Sequence, residues 1–259
     1  MLRKLMKYEF KATGRVMLPL YGALLGFAII NKIFIGTNMN EINMDFLGGI
    51  PTIITMLGYF ATMVAVFVGT IFITVQRFYK NLFGDEGYLM NTIPVKSSQN
   101  IVNKLIVSII WTIISGFIAV TSIFVMAYQP GVFKEIIAGF KNIYPEIGLN
   151  IFGIIEFIIL GIVALAHQIM MLYASLSIGQ LFKSKKLLGA FAGFMIISIV
   201  QQSIVGIVGI GGAILFANGN YINISPQYAL LCAIIIALFF FTILFCITNY
   251  ILKNKLNLE

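Results

Sequence analysis

The sequence predicts an all-α polytopic membrane protein: six transmembrane helices, an N-terminal interfacial amphipathic helix, a long cytoplasmic loop and a re-entrant outer element between spans five and six. Three observations lead there. The 259 residues are 60% hydrophobic and only 10% charged, whereas a soluble domain carries roughly 25% charged residues. Mean hydropathy is +1.00. Several apolar runs exceed the roughly 20 residues that a helix needs to cross the hydrocarbon core. No soluble domain or low-complexity linker separates these runs, so residues 1–259 read as one membrane domain.

The N-terminus reads as its own element. At 100° per residue, Leu2, Leu5, Met6, Phe10 and Thr13 share one face, and Lys4, Lys7, Lys11 and Arg15 share the opposite face. That pattern predicts an interfacial helix over Met1–Arg15, lying on anionic inner-leaflet lipid. Glu9 falls in the middle of the apolar face. It either snorkels to a neighbouring lysine or meets a cationic group on another subunit. The apolar run that follows is about as long as a full span and has a long basic segment before it, unlike a cleaved signal peptide.

Six spans follow. The first is Val16–Ile35, with Pro19 in its opening turn, where a missing N–H is tolerated. The second, Pro51–Val75, also begins on proline, and the third is Ile101–Tyr128. The fourth, Leu149–Phe182, is longer than the bilayer and must tilt or project. Leu187–Val205 and Tyr228–Leu252 complete the set. Gly22 with Gly26, and Gly189 with Gly193, have the spacing of close helix packing. Gly206, Gly209, Gly211 and Gly212 fall where the fifth span should end, and the apolar run to Pro226 is too short to cross, which predicts a re-entrant or interfacial hairpin over 206–227. Between spans three and four, "QPGVFKEIIAGFKNIYPE" predicts a short amphipathic helix in its middle.

Orientation follows from Lys and Arg in the loops. Arg3, Lys4, Lys7, Lys11, Arg15, Arg77, Lys80, Lys96, Lys104, Lys183, Lys185, Lys186, Lys253 and Lys255 fall on one side. Only Lys32, Lys134 and Lys141 fall on the other. Both termini and the 76–100 loop are therefore expected in the cytoplasm. The net charge of +8 suits an anionic leaflet and does not suggest nucleic acid.

Much chemistry is missing from the sequence. It has no Walker loop, no H-E-x-x-H, no G-x-S-x-G and no cysteine pair with metal spacing. Cys232 and Cys246 lie in one span, fourteen residues and so about 21 Å apart along a helix, too far for a disulfide. His167 is the only histidine. It shares a face of the fourth span with Glu156, eleven residues earlier. Intramembrane ionisable groups usually face a bundle interior or a hydrated cavity. The pair reads either as the lining of a transport path or subunit interface, or as a carboxylate that snorkels and a histidine bonded to a neighbouring helix.

One stretch contrasts with the surrounding apolar sequence: "QRFYKNLFGDEGYLMNTIPVKSSQN", Gln76–Asn100. Gln76–Phe83 can extend the second helix past the membrane. Gly84 and Gly87 bracket Asp85 and Glu86 at a tight turn, and Tyr88, Leu89 and Met90 follow it. Acid with aromatic and aliphatic side chains on a cytoplasmic turn predicts a docking knob for a soluble partner, against a helical hairpin packed on its own bundle.

"RFYKNLFGDEGYLMNTIPV", followed by a lysine-bearing third span, resembles the type-2 ABC transporter permeases of low-G+C Gram-positive bacteria. "KYEFKATGR" followed by "LPLYGAL" is similar to the same group. The likeness covers the chain by topology, but its specific words are confined to these two stretches. It implies a six-span exporter subunit in the bacterial plasma membrane. Met1–Arg15 would be its connecting helix and Phe83, Gly84, Asp85, Glu86, Gly87, Tyr88, Leu89 and Met90 its ATPase-coupling segment. It also implies two separate ATPase subunits carrying ATP and magnesium, a second permease, no cofactor on this chain and no catalysis by it. Peptides, drugs, lipids, glycans and in some members ions are the cargo of such transporters. The alternatives are a non-pumping immunity or sensor protein that sequesters an antimicrobial peptide and, from another class, an intramembrane enzyme using Glu156 and His167.

Overall fold

The computed structural model describes residues 2–38, 46–84, 96–128, 131, 133–139, 151–182, 184–217 and 226–255. Among them there is helix and no strand. The long helices are α1 (Leu2–Asn38), α2 (Phe46–Leu82), α3 (Ser97–Ala127), α4 (Ile151–Gly179), α5 (Lys186–Ala217) and α6 (Pro226–Asn254). All six are long and apolar enough to cross a membrane. In lipid every backbone N–H and C=O must be satisfied within the segment, and for an open chain only the helix does this.

Three expectations about element boundaries change. The first concerns the N-terminus. No break separates Met1–Arg15 from the first span, because α1 runs continuously from Leu2 to Asn38. Part of its apolar stripe packs on protein: Glu9 and Thr13 are buried, and Phe10 stacks on Trp111 of α3 with ring centroids 4.7 Å apart.

The second concerns proline. Pro19 and Pro51 lie inside α1 and α2 instead of opening them. A proline there removes one backbone bond, but the apolar surroundings penalise unwinding more heavily.

The third concerns the glycines after residue 205. Residues 206–217 continue α5, so Gly206, Gly209, Gly211 and Gly212 lie within a helix and not after its end. The rest of the expected re-entrant element, 218–225, lies outside the described residues. The amphipathic helix expected between α3 and α4 is present as a short helix over 133–139.

The chain divides into two compact units, and the division falls within helices. Unit 1 is Met1–Gln76 with Ile106–Phe140, and unit 2 is Arg77–Leu105 with Lys141–Glu259.

In unit 1 the core is formed by Met17, Tyr21, Leu24 and Ala28 of α1, Tyr59, Val66 and Ile73 of α2, and Val107 and Trp111 of α3. Steps of three, four and seven residues keep these positions on one stripe of each helix. Glycines admit the larger side chains. A Cβ at Gly58 would lie 2.7 Å from the Phe27 ring, and one at Gly69 would lie 3.3 Å from Leu20. The Gly22 and Gly26 pair does no such work, since a Cβ at either would meet nothing within 4 Å.

In unit 2, α4 packs against both α5 and α6. The chain turns tightly from α4 into α5. Phe182 N–H donates to the Gly179 carbonyl at 3.2 Å, and Gly189 N–H to the Lys185 carbonyl at 2.9 Å. A Cβ on Gly179 would lie 2.6 Å from the Lys186 carbonyl oxygen. Gly189 and Gly193 sit against Phe182 and Ile178, so this glycine pair does serve close packing.

Candidate functional site

The 76–100 segment begins as the last turns of α2. Phe78 is fully buried, and it stacks face to face on Tyr173 of α4 with centroids 3.8 Å apart and planes 7° from parallel. Phe83 closes the end of the helix. Its N–H and that of Gly84 both donate to the Tyr79 carbonyl, at 2.8 and 3.1 Å, and its ring meets Phe78 edge-on. Gly84 is required by space here, because a Cβ would stand 2.8 Å from the Lys80 carbonyl oxygen. Asp85, Glu86, Gly87, Tyr88, Leu89 and Met90 lie outside the described residues.

The chain re-enters the described structure at Lys96 and starts α3 at Ser97. Asn100, Ile101, Asn103 and Lys104 are all buried, Lys104 with 3% of its surface exposed. Lys104 falls inside the expected third span, at its basic end. The signal that set it apart was an isolated lysine inside "IVNKLIVSIIW", where an ionisable group implies an interior position. Both ends of the segment are thus mounted in packed structure, α2 through Phe78 and Leu82, α3 through Ile101 and Lys104.

On α1, Arg3, Lys7, Lys11 and Arg15 are all exposed. They recur every fourth residue, so they line one side of the helix. Met6 and Phe10 join Arg3, Lys7 and Lys11 around a shallow groove. The Lys4 side chain lies outside the described structure. Glu9 is on the buried side, 7% exposed.

Glu156 and His167 are each held by an amide from a different helix. Gln227 of α6 donates to Glu156 Oε1 at 3.4 Å, while Glu156 Oε2 is buried with no hydrogen-bond partner among the described residues. His167 Nε2 lies 3.0 Å from Gln201 Nε2 of α5. An amide nitrogen only donates, so His167 Nε2 accepts, which places the ring proton on Nδ1. The Phe240 ring of α6 stands 6.4 Å from the imidazole. The structure therefore does not bring Glu156 and His167 together; it gives each its own glutamine. Among the described residues, no three of His, Cys, Asp and Glu gather to hold a metal ion. Cys232 and Cys246 are free thiols.

Unit 1 contains a polar interior that the sequence reading did not single out. Tyr21 Oη, Ser115 Oγ and Thr70 Oγ1 form a chain with contacts of 2.7 and 2.8 Å. Tyr59 Oη meets Ser122 Oγ at 3.0 Å. Asn31, fully buried, donates to the Phe27 and Thr55 carbonyls and accepts from the Thr55 hydroxyl. The visible signal was the seven-residue spacing of Ser108, Ser115 and Ser122 on one face of α3.

No protein-family model, curated protein or solved structure matches the chain.

Proposed function

We propose that the chain is the membrane-spanning permease subunit of an ATP-driven ABC exporter. In this reading it moves a peptide, drug, lipid or similar amphipathic substrate out of a bacterial cytoplasm. A separate ATPase, in two copies, holds ATP and magnesium and docks on the 83–90 segment. The observation that carries the reading is the mounting of that segment. A loop that merely reverses the chain needs no foundation, yet Phe78 and Leu82 on one side and Ile101 and Lys104 on the other are buried. A push delivered at Phe83 and Gly84 enters packed side chains and, through α2 and α3, the spans. Two such bundles, from this chain and a second permease of the same or a homologous sequence, alternate between two packings. The exposed basic stripe of α1 suits anionic inner-leaflet lipid, with both termini in the cytoplasm, and nothing in the sequence recommends nucleic acid.

The test is retention of an ATPase by the affinity-tagged chain, with substrate-stimulated hydrolysis as the second readout. Buried aromatic anchors dominate interfaces of this kind, while rim charges tune association. Tyr88→Ala should weaken docking by about 1–3 kcal/mol and uncouple hydrolysis, with Glu86→Gln a smaller effect. A Tyr88→Ala chain that docks and couples like wild type removes the docking assignment. If the wild-type chain retains no ATPase, the better reading becomes a non-pumping partner that sequesters an antimicrobial peptide.

A further inference from the structure

A small cavity lies in unit 1 beside Trp111. It is lined by Thr13 and Met17 of α1, by Thr70, Ile73 and Thr74 of α2, and by Val107, Ser108 and Trp111 of α3. The space open to the centre of a water-sized sphere is about 10 Å³, close to what one water occupies by that measure. Trp111 is 4% exposed, and its Nε1 is buried with no hydrogen-bond partner among the described residues. An indole N–H is a donor only, and leaving it bare at this depth costs the desolvation of the group, roughly 1–3 kcal/mol.

The neighbouring hydroxyls have a direction that complements this donor. Thr70 Oγ1 donates to the Val66 carbonyl at 2.7 Å. Its single hydrogen is thereby used, so in the 2.8 Å contact with Ser115 it must accept. Ser115, having given its hydrogen to Thr70, accepts from Tyr21 at 2.7 Å. The protons run from Tyr21 through Ser115 and Thr70 to the Val66 carbonyl. One lone pair of Thr70 Oγ1 is left over, since a hydroxyl oxygen accepts twice, and Thr70 lines the cavity.

We propose that this cavity is a binding site for a single structural water. The water accepts from Trp111 Nε1 and donates to the hydroxyls around it, Thr70 among them. It thereby joins the indole to the Tyr21–Ser115–Thr70 chain and ties α1, α2 and α3 together at one point. A metal cation does not fit, because Trp111 presents a hydrogen where a cation needs a lone pair. An anion does not fit either, because none of the lining residues carries a charge and a buried unpaired ion is far costlier than a neutral guest.

The site has a built-in reporter, because Trp111 is the only tryptophan in the chain. Ultraviolet resonance Raman spectra of the purified full-length protein read the hydrogen-bonding state of that one indole N–H. The wild-type spectrum should show a bonded indole. The Thr13→Val, Thr70→Val, Thr74→Val and Ser108→Ala variant should lose that signal and shift its fluorescence to shorter wavelength, while the Thr13→Ser, Thr70→Ser and Thr74→Ser variant, with Ser108 kept, should keep both. A wild-type indole that reads as unbonded overturns the site, and so does a bonded signal that survives in the folded valine variant. Should the valine variant not fold, the wild-type spectrum alone decides. Neither measurement involves an ATPase or transport, so the result stands apart from the proposed function.

Discussion

The two units solve the problem of polar groups in an apolar chain differently. Unit 1 pairs neutral hydroxyls and amides across helices: Tyr21 with Ser115 and Thr70, Tyr59 with Ser122, Asn31 with Thr55. In unit 2, Glu156 and His167 each stand opposite one glutamine, and Ser175, Ser177 and Thr248 donate to carbonyls of their own helix. The large contacts of unit 2 are the Phe78–Tyr173 stack and the glycines under the α4–α5 turn. Hydroxyl pairs in lipid contribute modestly because an unpaired hydroxyl finds partners within its own helix, as Thr112 and Thr121 do with carbonyls four residues back. Shape contacts have no such fallback. Deleting a shape contact of unit 2 should therefore cost more than deleting a hydroxyl of unit 1.

The sharpest way to break this comparison is Phe78→Ala. Removing one of two fully buried stacked rings should cost about 3–5 kcal/mol, read as a lower Tm in detergent. A shift no larger than that of a hydroxyl deletion in unit 1 would end the distinction. Gly179→Val comes next, since its Cβ meets the backbone of Lys186 and Ala190, which cannot swing aside. Overpacking of this kind typically costs about 1–3 kcal/mol, and proteolysis at the α4–α5 turn should rise with it. Tyr21→Phe should cost only about 0.5–1.5 kcal/mol. A double-mutant cycle with Ser115→Ala should return most of that as coupling, because the 2.7 Å contact to Ser115 is the short one of the Tyr21 hydroxyl, against 3.5 Å to the Trp111 carbonyl. The smallest effect on stability belongs to Glu156→Gln, which replaces a buried oxygen that has no described partner. Thermal stability should stay within about 1 kcal/mol of wild type; under the proposed export function, with the carboxylate lining the path, export should fall. Undiminished export would reduce Glu156 to a packing residue.

The positions of the six helices were legible because apolar runs of that length have few alternatives in a bilayer. Their ends were less so. Pro19 and Pro51 are start signals and Gly206–Gly212 a stop signal in water, where an unwound backbone bonds to solvent. In lipid the same residues sit inside α1, α2 and α5, because unwinding leaves carbonyls bare. The Glu156 and His167 face was readable from one helix, but Gln227 and Gln201 were not, since finding them requires the rotation and register of two other helices. The same limit hid Thr70 from Ser115. Lys104 was legible as a lysine of the third span, but its burial was not, because counting charges by side makes no distinction between a lysine at the surface and one packed inside.

The interleaving of the two units along the chain has a consequence for biosynthesis. Unit 1 is complete once the ribosome has passed Phe140, apart from the Arg77–Leu105 excursion that belongs elsewhere. That excursion emerges early and then waits. Phe78 has no ring to stack on until Tyr173 has been made and inserted, and α4 completes its own packing only when α5 and α6 follow. Throughout that interval Phe78 lacks its native cover. The nascent chain therefore passes through a stage in which one half is sealed and the other presents an unfinished face. Membrane insertases and quality-control proteases would meet it at that stage.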